Sequence, residues 1–231
     1  MKKQIIKDLI FIIALPLFCF LGMWLFRGKL YSWALISASV AVCGVFFLFF
    51  ERKKSVSAEL AVISVMTALS VFGRMAFAVI PGFKPCTAVI IITAAYFGRE
   101  AGFMVGSLTA LISNFYFGQG QWTPFQMLIW GLTGYLAGII SKKLIEKKWF
   151  MIIFSAVSGI AFSLIMDLWS CIWADNAFIL SRYLALIATS AVFTVEYAVS
   201  NVLFVLLLYK PFGRIFMRLN QKYGIGMEEQ K

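Results

Sequence analysis

The sequence predicts an all-α membrane protein, a polytopic helical bundle of eight helical segments joined by short connections. Three observations carry that reading. Residues of the AVILMFWYC set make up 62% of the 231 positions, charged residues only 13%, and the mean hydropathy is +0.91; a soluble chain is about half apolar and about a quarter charged. Apolar runs recur, most of them near the roughly 20 residues that cross a bilayer core. The net charge of +11 is gathered in short groups between those runs, which is how membrane-flanking charge is distributed and not how a nucleic-acid-binding face is built.

Taken in order, Lys2, Lys3 and Lys7 precede an apolar run at 9–26. The run is long for a signal peptide, no A-x-A-like site follows it, and Arg27 and Lys29 lead directly into a second run at 31–50. Both read as membrane spans. After Glu51-Arg52-Lys53-Lys54 a third run covers 56–79, interrupted by Gly73-Arg74, with Ala61, Ser64 and Ala68 at spacings that let another helix approach closely. Pro81-Gly82-Phe83-Lys84-Pro85 forms a stiff turn, since neither proline continues a helix. The run at 86–97 is short for a span and predicts a short helix whose ends neighbours bury.

Gly98-Arg99-Glu100 turns the chain into a helix over 101–117, with Gly102, Gly106, Ser107 and Ala110 on closely packed faces. The next helix, 123–140, has a start signal of its own: Thr123 as N-cap, Pro124 at the first helical position and Gln126 at the third, the pattern of a capping box. A basic connection, 141–148, leads to a run at 149–168. A wetter connection with Asp167, Trp169, Trp173, Asp175, Asn176 and Arg182 leads to the last run, 183–209, and a basic tail carrying Lys210, Arg214, Arg218 and Lys222. The organisation expected is a two-helix extension over 1–55, a six-helix core over 56–210 and a basic tail over 211–231.

With both termini placed on the cytoplasmic side, sixteen basic residues fall inside and five outside, which satisfies the positive-inside rule. Three connections then face outward together: 74–85, 117–123 and 167–182.

The middle one lies within Ser113–Met127, SNFYFGQGQWTPFQM, which has no charge but concentrates amides and aromatic rings. Amides donate and accept hydrogen bonds without the desolvation cost of a charge. The candidate substrate-binding residues are Asn114, Tyr116, Gln119, Gln121, Trp122, Trp130 and Trp173, with Arg74 and Lys84 as the cations nearest this face. Six of them have a plainer alternative: interfacial placement for the three tryptophans, snorkelling for the two cations, a C-cap for Asn114. Gln126 is assigned to capping. Glu196 and Asn201 fall near mid-membrane in the last run, either as functional groups or as bonds between helices.

Other function classes find little support. The chain has no histidine, the commonest general base and metal ligand. Cys19, Cys43, Cys86 and Cys171 show no C-x-x-C spacing and read as packing residues. No Walker A sequence, metal-spaced carboxylate pair or dinucleotide glycine motif appears. Uphill transport would therefore draw its energy from a partner or an ion gradient.

The segments FGRMAFAVIPGFKPCTAVIIITAAYFG and AGFMVGSLTALISNFYFGQGQWTPFQMLIWGLTGYLAGII resemble the S components of energy-coupling factor (ECF) transporters, and within them the group associated with cobalamin uptake. The resemblance spans about Glu59 to Tyr209. It implies a non-catalytic, membrane-embedded subunit that captures a vitamin from outside. Its partners would be a transmembrane coupling subunit and two cytosolic ATPase subunits. Ala61, Ser64 and Ala68 occupy the region that contacts the coupling subunit in such proteins, with Ser64 departing from a strict alanine pattern. No cofactor is implied, cobalamin being cargo. Riboflavin or another vitamin is the alternative substrate. An intramembrane lipid or isoprenoid enzyme and an assembly factor are the more distant readings.

Overall fold

Inside a bilayer an unsatisfied backbone amide costs several kcal/mol, and a helix satisfies its own amides internally; the long apolar runs fold accordingly. The computed structural model describes residues 57–224 and a few helical positions between 36 and 47. The predicted run at 9–26, most of 31–50, Cys19 and the last residues of the tail lie outside the described residues. The elements are α1 (Ser57–Ala76), α2 (Cys86–Phe117), α3 (Thr123–Ile139), α4 (Ser141–Glu146), α5 (Lys148–Asp175) and α6 (Leu180–Tyr223). Four of them, α1, α2, α5 and α6, are long and apolar enough to cross a membrane. Among the described residues there is no strand. The chain is a multi-pass helical membrane protein.

The longest departure from a simple hairpin bundle is in α2, which is two arms meeting at Gly98, whose φ of 87° and ψ of 179° are not helical. Glycine tolerates this positive φ because it has no Cβ. The first arm, 86–97, is the predicted short run, and the structure explains its length. Ile90, Ile91, Ile92, Ala94 and Ala95 are all fully buried, so this arm is sheathed by protein and need not span lipid alone. Counted by arms, the described chain holds six longer helices and the short α4.

The second arm of α2 and α3 approach through facing glycines. A Cβ on Gly134 would sit 2.2 Å from the Gly102 carbonyl oxygen, and one on Gly106 would sit 2.3 Å from the Trp130 carbonyl oxygen. The predicted close packing at Gly102 and Gly106 is thus observed. Helices α5 and α6 also approach closely, at Gly159 against the backbone of Tyr197 and Ala198. Across that seam the Asn201 Nδ2 donates to the Ser155 carbonyl at 3.1 Å, and Ser163 and Thr194 share a hydrogen bond of 2.7 Å. Asn201 is therefore a bond between helices. Cys43, Cys86 and Cys171 are buried and free, as packing residues would be.

Three local expectations are corrected. Helix α1 runs through Gly73-Arg74 and ends at Ala76, because both residues are buried and Gly73 lies hard against the Pro85 ring. The start of α3 is not a capping box: Trp122 is the N-cap, no side-chain cap bond forms, and Thr123 and Gln126 use their side chains elsewhere. Helix α6 does not stop near Tyr209 but continues through Pro211 to Tyr223. Phe216 stacks edge-on to Phe97 at 4.9 Å and contacts Tyr96 at 5.5 Å, and Gly213 lets the Tyr96 hydroxyl approach. Tertiary packing here overrides the local penalty of proline.

Candidate functional site

Alternating helix directions bring the ends of α1, α2 and α5 to the same end of the bundle as the starts of α3 and α6. Arg74, in the last turn of α1, is the centre of this end. Its side chain is only 7% exposed. One guanidinium nitrogen, Nη1, donates to Ser113 and, at 2.8 Å, to the Asn114 Oδ1. The Asn114 amide nitrogen then donates to Thr123 Oγ1 at 2.9 Å and to Gln126 Oε1 at 2.8 Å. Thr123 Oγ1 also accepts from the Gly120 N–H at 3.3 Å. The network joins α1, α2 and α3 through hydrogen bonds that run in one direction, from cation to amide to hydroxyl.

Aromatic faces complete the surround. The guanidinium carbon lies 4.5 Å from the Phe117 ring centroid and 5.1 Å from that of Trp130. The Lys84 ammonium lies 5.3 Å from the Phe117 centroid. Both cations therefore use the electron-rich face of aromatic rings where no carboxylate is supplied. Burial, with the Arg74 charge second, pushes the Lys84 ammonium below its ordinary pKa.

Beside Trp130 is a small cavity lined by Lys84, Cys86, Thr87, Trp130, Gly159, Phe162, Tyr197 and Asn201. Its volume of about 20 Å³ is room for about one water molecule. Its walls are ordered rings. Trp130 and Phe162 are stacked at 5.4 Å and 17°, and Phe162 meets Tyr197 edge-on at 5.3 Å. Nearer the chain turns, Phe125 stacks on Trp169 at 4.8 Å, and Trp169 tilts against Trp173 at 5.8 Å.

The segment between α1 and α2 is latched to the middle of α6. The Gly82 N–H donates to Glu196 Oε2 at 2.9 Å. Ser200 Oγ accepts from the Lys84 N–H at 2.7 Å and donates to the Lys84 carbonyl at 3.0 Å. Phe77, Phe83 and Phe204 pack ring to ring beneath, with centroids 5.0 to 5.7 Å apart. Glu196 thus carries a latch.

Of the residues the sequence singles out, the structure brings Arg74, Lys84, Asn114 and Trp130 together. It does not bring Tyr116, Gln119 and Trp122 to that cluster. Tyr116 is 63% exposed, Gln119 turns back to the Leu111 carbonyl at 3.0 Å, and the Trp122 indole lies over Gly120. Gln121 is half-buried, and Trp173 packs on Trp169. Sequence reasoning missed Ser113, Thr87, Phe162 and Tyr197, and assigned Thr123 and Gln126 to capping. Ser113 and Asn114 sit four and three residues before Phe117, so their shared burial had a periodic signal; Phe162 and Tyr197 lie in uniformly apolar runs and had none. On α1, Ala61, Ser64 and Ala68 are exposed along one face, with the Ser64 hydroxyl bonded back to the Leu60 carbonyl at 2.9 Å. Among the described residues no group of three His, Cys, Asp or Glu side chains could hold a metal.

A helical membrane bundle with a buried polar and aromatic cluster at one end has the form of a membrane-embedded binding subunit. The sequence profile of the family described as ECF-type riboflavin transporter, S component, matches residues 54–214, from just before α1 to most of α6. The chain belongs to that family, whose S components are the substrate-binding, non-catalytic subunits of vitamin transporters. Searches of curated proteins and of solved structures each return no match. The cobalamin-type resemblance finds no support in the match, which is to the riboflavin type.

Proposed function

We propose that this protein captures a flavin, riboflavin or a close relative, at the Arg74–Asn114 end of the bundle, as cargo and not as cofactor. The observation that carries the reading beyond the family match is the cavity wall: stacked Trp130 and Phe162, with Tyr197 edge-on, beside the Lys84 ammonium and the Asn201 amide. Flat rings of this kind offer stacking surface to a planar tricyclic ligand, and the polar groups at its edge suit ring carbonyls. At about 20 Å³ the cavity does not admit such a ring as it stands. Entry requires the 77–85 segment to lift or the Trp130–Phe162 stack to part.

The excess of basic residues at the opposite end of the bundle orients this end outward, with both termini cytoplasmic. Transport then depends on a transmembrane coupling subunit and two cytosolic ATPases. The exposed small-residue face of α1, Ala61, Ser64 and Ala68, is where close helix approach to that coupling subunit is favoured.

The test is ligand binding by the purified full chain in detergent or nanodiscs, followed by flavin fluorescence and by mass spectrometry of what copurifies. Riboflavin is expected to bind saturably with its fluorescence quenched by the aromatic walls, and Trp130→Ala to weaken it at least about tenfold, the loss of roughly one stacking contact. Binding of cobalamin with no binding of riboflavin would overturn the flavin reading in favour of a corrinoid.

A further inference from the structure

Among the described residues, the charges of Arg74 and Lys84 have no bonded counterpart. Arg74 is nine-tenths buried, and its hydrogen-bond acceptors, Ser113 and Asn114, are neutral. Its Nε is buried with no partner at all. Lys84, the second cation, shares the Phe117 ring with it. Among the described residues, no carboxylate bonds to either side chain; the Glu196 carboxylate bonds to the Gly82 N–H and not to Arg74 or Lys84. A buried charge without an opposite charge is strongly disfavoured, and two like charges around one ring add repulsion to desolvation. Such an arrangement is relieved when an anion arrives. Arginine presents a planar fork suited to oxyanions, and lysine serves as a point charge beside it.

Riboflavin is neutral. Its carbonyls and hydroxyls could satisfy individual N–H groups but would leave both positive charges uncompensated. A phosphate monoester carries about −1.5 to −2 at neutral pH, which matches two cations. We infer that the ligand of this site carries a phosphate monoester, so that the phosphorylated flavin is bound in preference to the neutral vitamin, its phosphate lying against Arg74 and Lys84. This rests on the flavin reading above and deepens it: the unpartnered Nε supplies a donor, and Lys84, which also lines the cavity, links the charged pair to the aromatic walls.

The experiment is parallel titration of the full chain in nanodiscs of neutral lipid with riboflavin, with riboflavin 5′-phosphate and with inorganic phosphate, read by flavin fluorescence and by thermal unfolding. The 5′-phosphate is expected to bind at least about tenfold more tightly than riboflavin, the discrimination of one good charge-assisted contact. Inorganic phosphate alone is expected to raise the unfolding temperature. Lys84→Gln should cost the 5′-phosphate at least about fivefold more affinity than it costs riboflavin and remove most of the effect of inorganic phosphate; Arg74→Gln should do the same if it folds, and Lys84→Gln decides the matter if it does not. Riboflavin binding as tightly as its phosphate ester overturns the inference and leaves the flavin reading intact. Failure of both flavins to bind, with phosphate still stabilising the protein through Lys84, overturns the flavin reading and keeps the anion site. No phosphate effect and no flavin preference sinks the anion site outright.

Discussion

Two neighbouring parts of one uncharged stretch, residues 113–127, have similar chemistry and opposite fates. Ser113, Asn114, Thr123 and Gln126 turn inward and form the network around Arg74. Phe115, Tyr116 and Trp122 between them are 76%, 63% and 37% exposed. Both parts are rich in amides or aromatic rings, so composition does not separate them. Helical phase does: Ser113 and Asn114 continue the buried face of α2 that carries Ala110 and Ser107, while Phe115 and Tyr116 fall on the opposite side. A polar residue becomes part of a site only when its position on the helix aims it at another polar residue.

The sharpest way to break this comparison is at Asn114. Asn114→Leu removes an acceptor from the Arg74 guanidinium, leaves Gln126 without its donor and leaves Thr123 with the Gly120 N–H alone. The expected loss is about 2–4 kcal/mol, since bonds to charged groups and stranded buried partners are the expensive ones. Thermal unfolding in detergent checks it; a variant as stable as the parent would mean that the network carries no energy.

Thr123→Val comes next, because this hydroxyl accepts both from Asn114 and from the Gly120 N–H and so ties the inward part to the outward part. About 1–2 kcal/mol is expected, together with faster amide exchange at Gly120, read by hydrogen–deuterium exchange. Gln126→Leu should be milder, about 1 kcal/mol, as Asn114 keeps Thr123 as an acceptor. A loss larger than that of Thr123→Val would reverse their order and place the weight of the network on α3 instead of on its start.

At the small end, Tyr116→Ala and Gln119→Ala should each change stability by no more than about 0.5 kcal/mol, as exposed substitutions do, and leave flavin affinity within about twofold. A tenfold loss of affinity in either, with unfolding unchanged, would show that the outward part folds over the ligand and would erase the distinction drawn here.

Much of this site was legible before any coordinates. Arg74 interrupts an apolar helix, Lys84 sits in a proline-bounded turn, and Asn114 is the one amide inside an otherwise apolar run, so each stands out as a polar group with a desolvation cost to offset. The capping reading of Thr123 and Gln126 failed for a definite reason. A capping box is a local motif, and here a buried amide from another helix competes for the same side-chain oxygens. The mid-membrane polar pair divided in the same way: Asn201 bonds to Ser155 across helices, while Glu196 holds the Gly82 backbone.

By itself the sequence determined the helical membrane class, the breaks at Pro81–Pro85 and Gly98, and the small face at Ala61, Ser64 and Ala68. These follow from hydropathy, from the φ restrictions of proline and the freedom of glycine, and from side-chain size, all properties of a residue and its immediate neighbours. Only the tertiary structure decided that residues 86–97 lie at the centre of the bundle, that α6 passes through Pro211 because Phe216 finds Phe97, and that Phe162 and Tyr197 face Trp130 across a cavity. Those outcomes depend on the rotation and depth of one helix against another, which no local pattern in a uniformly apolar run specifies.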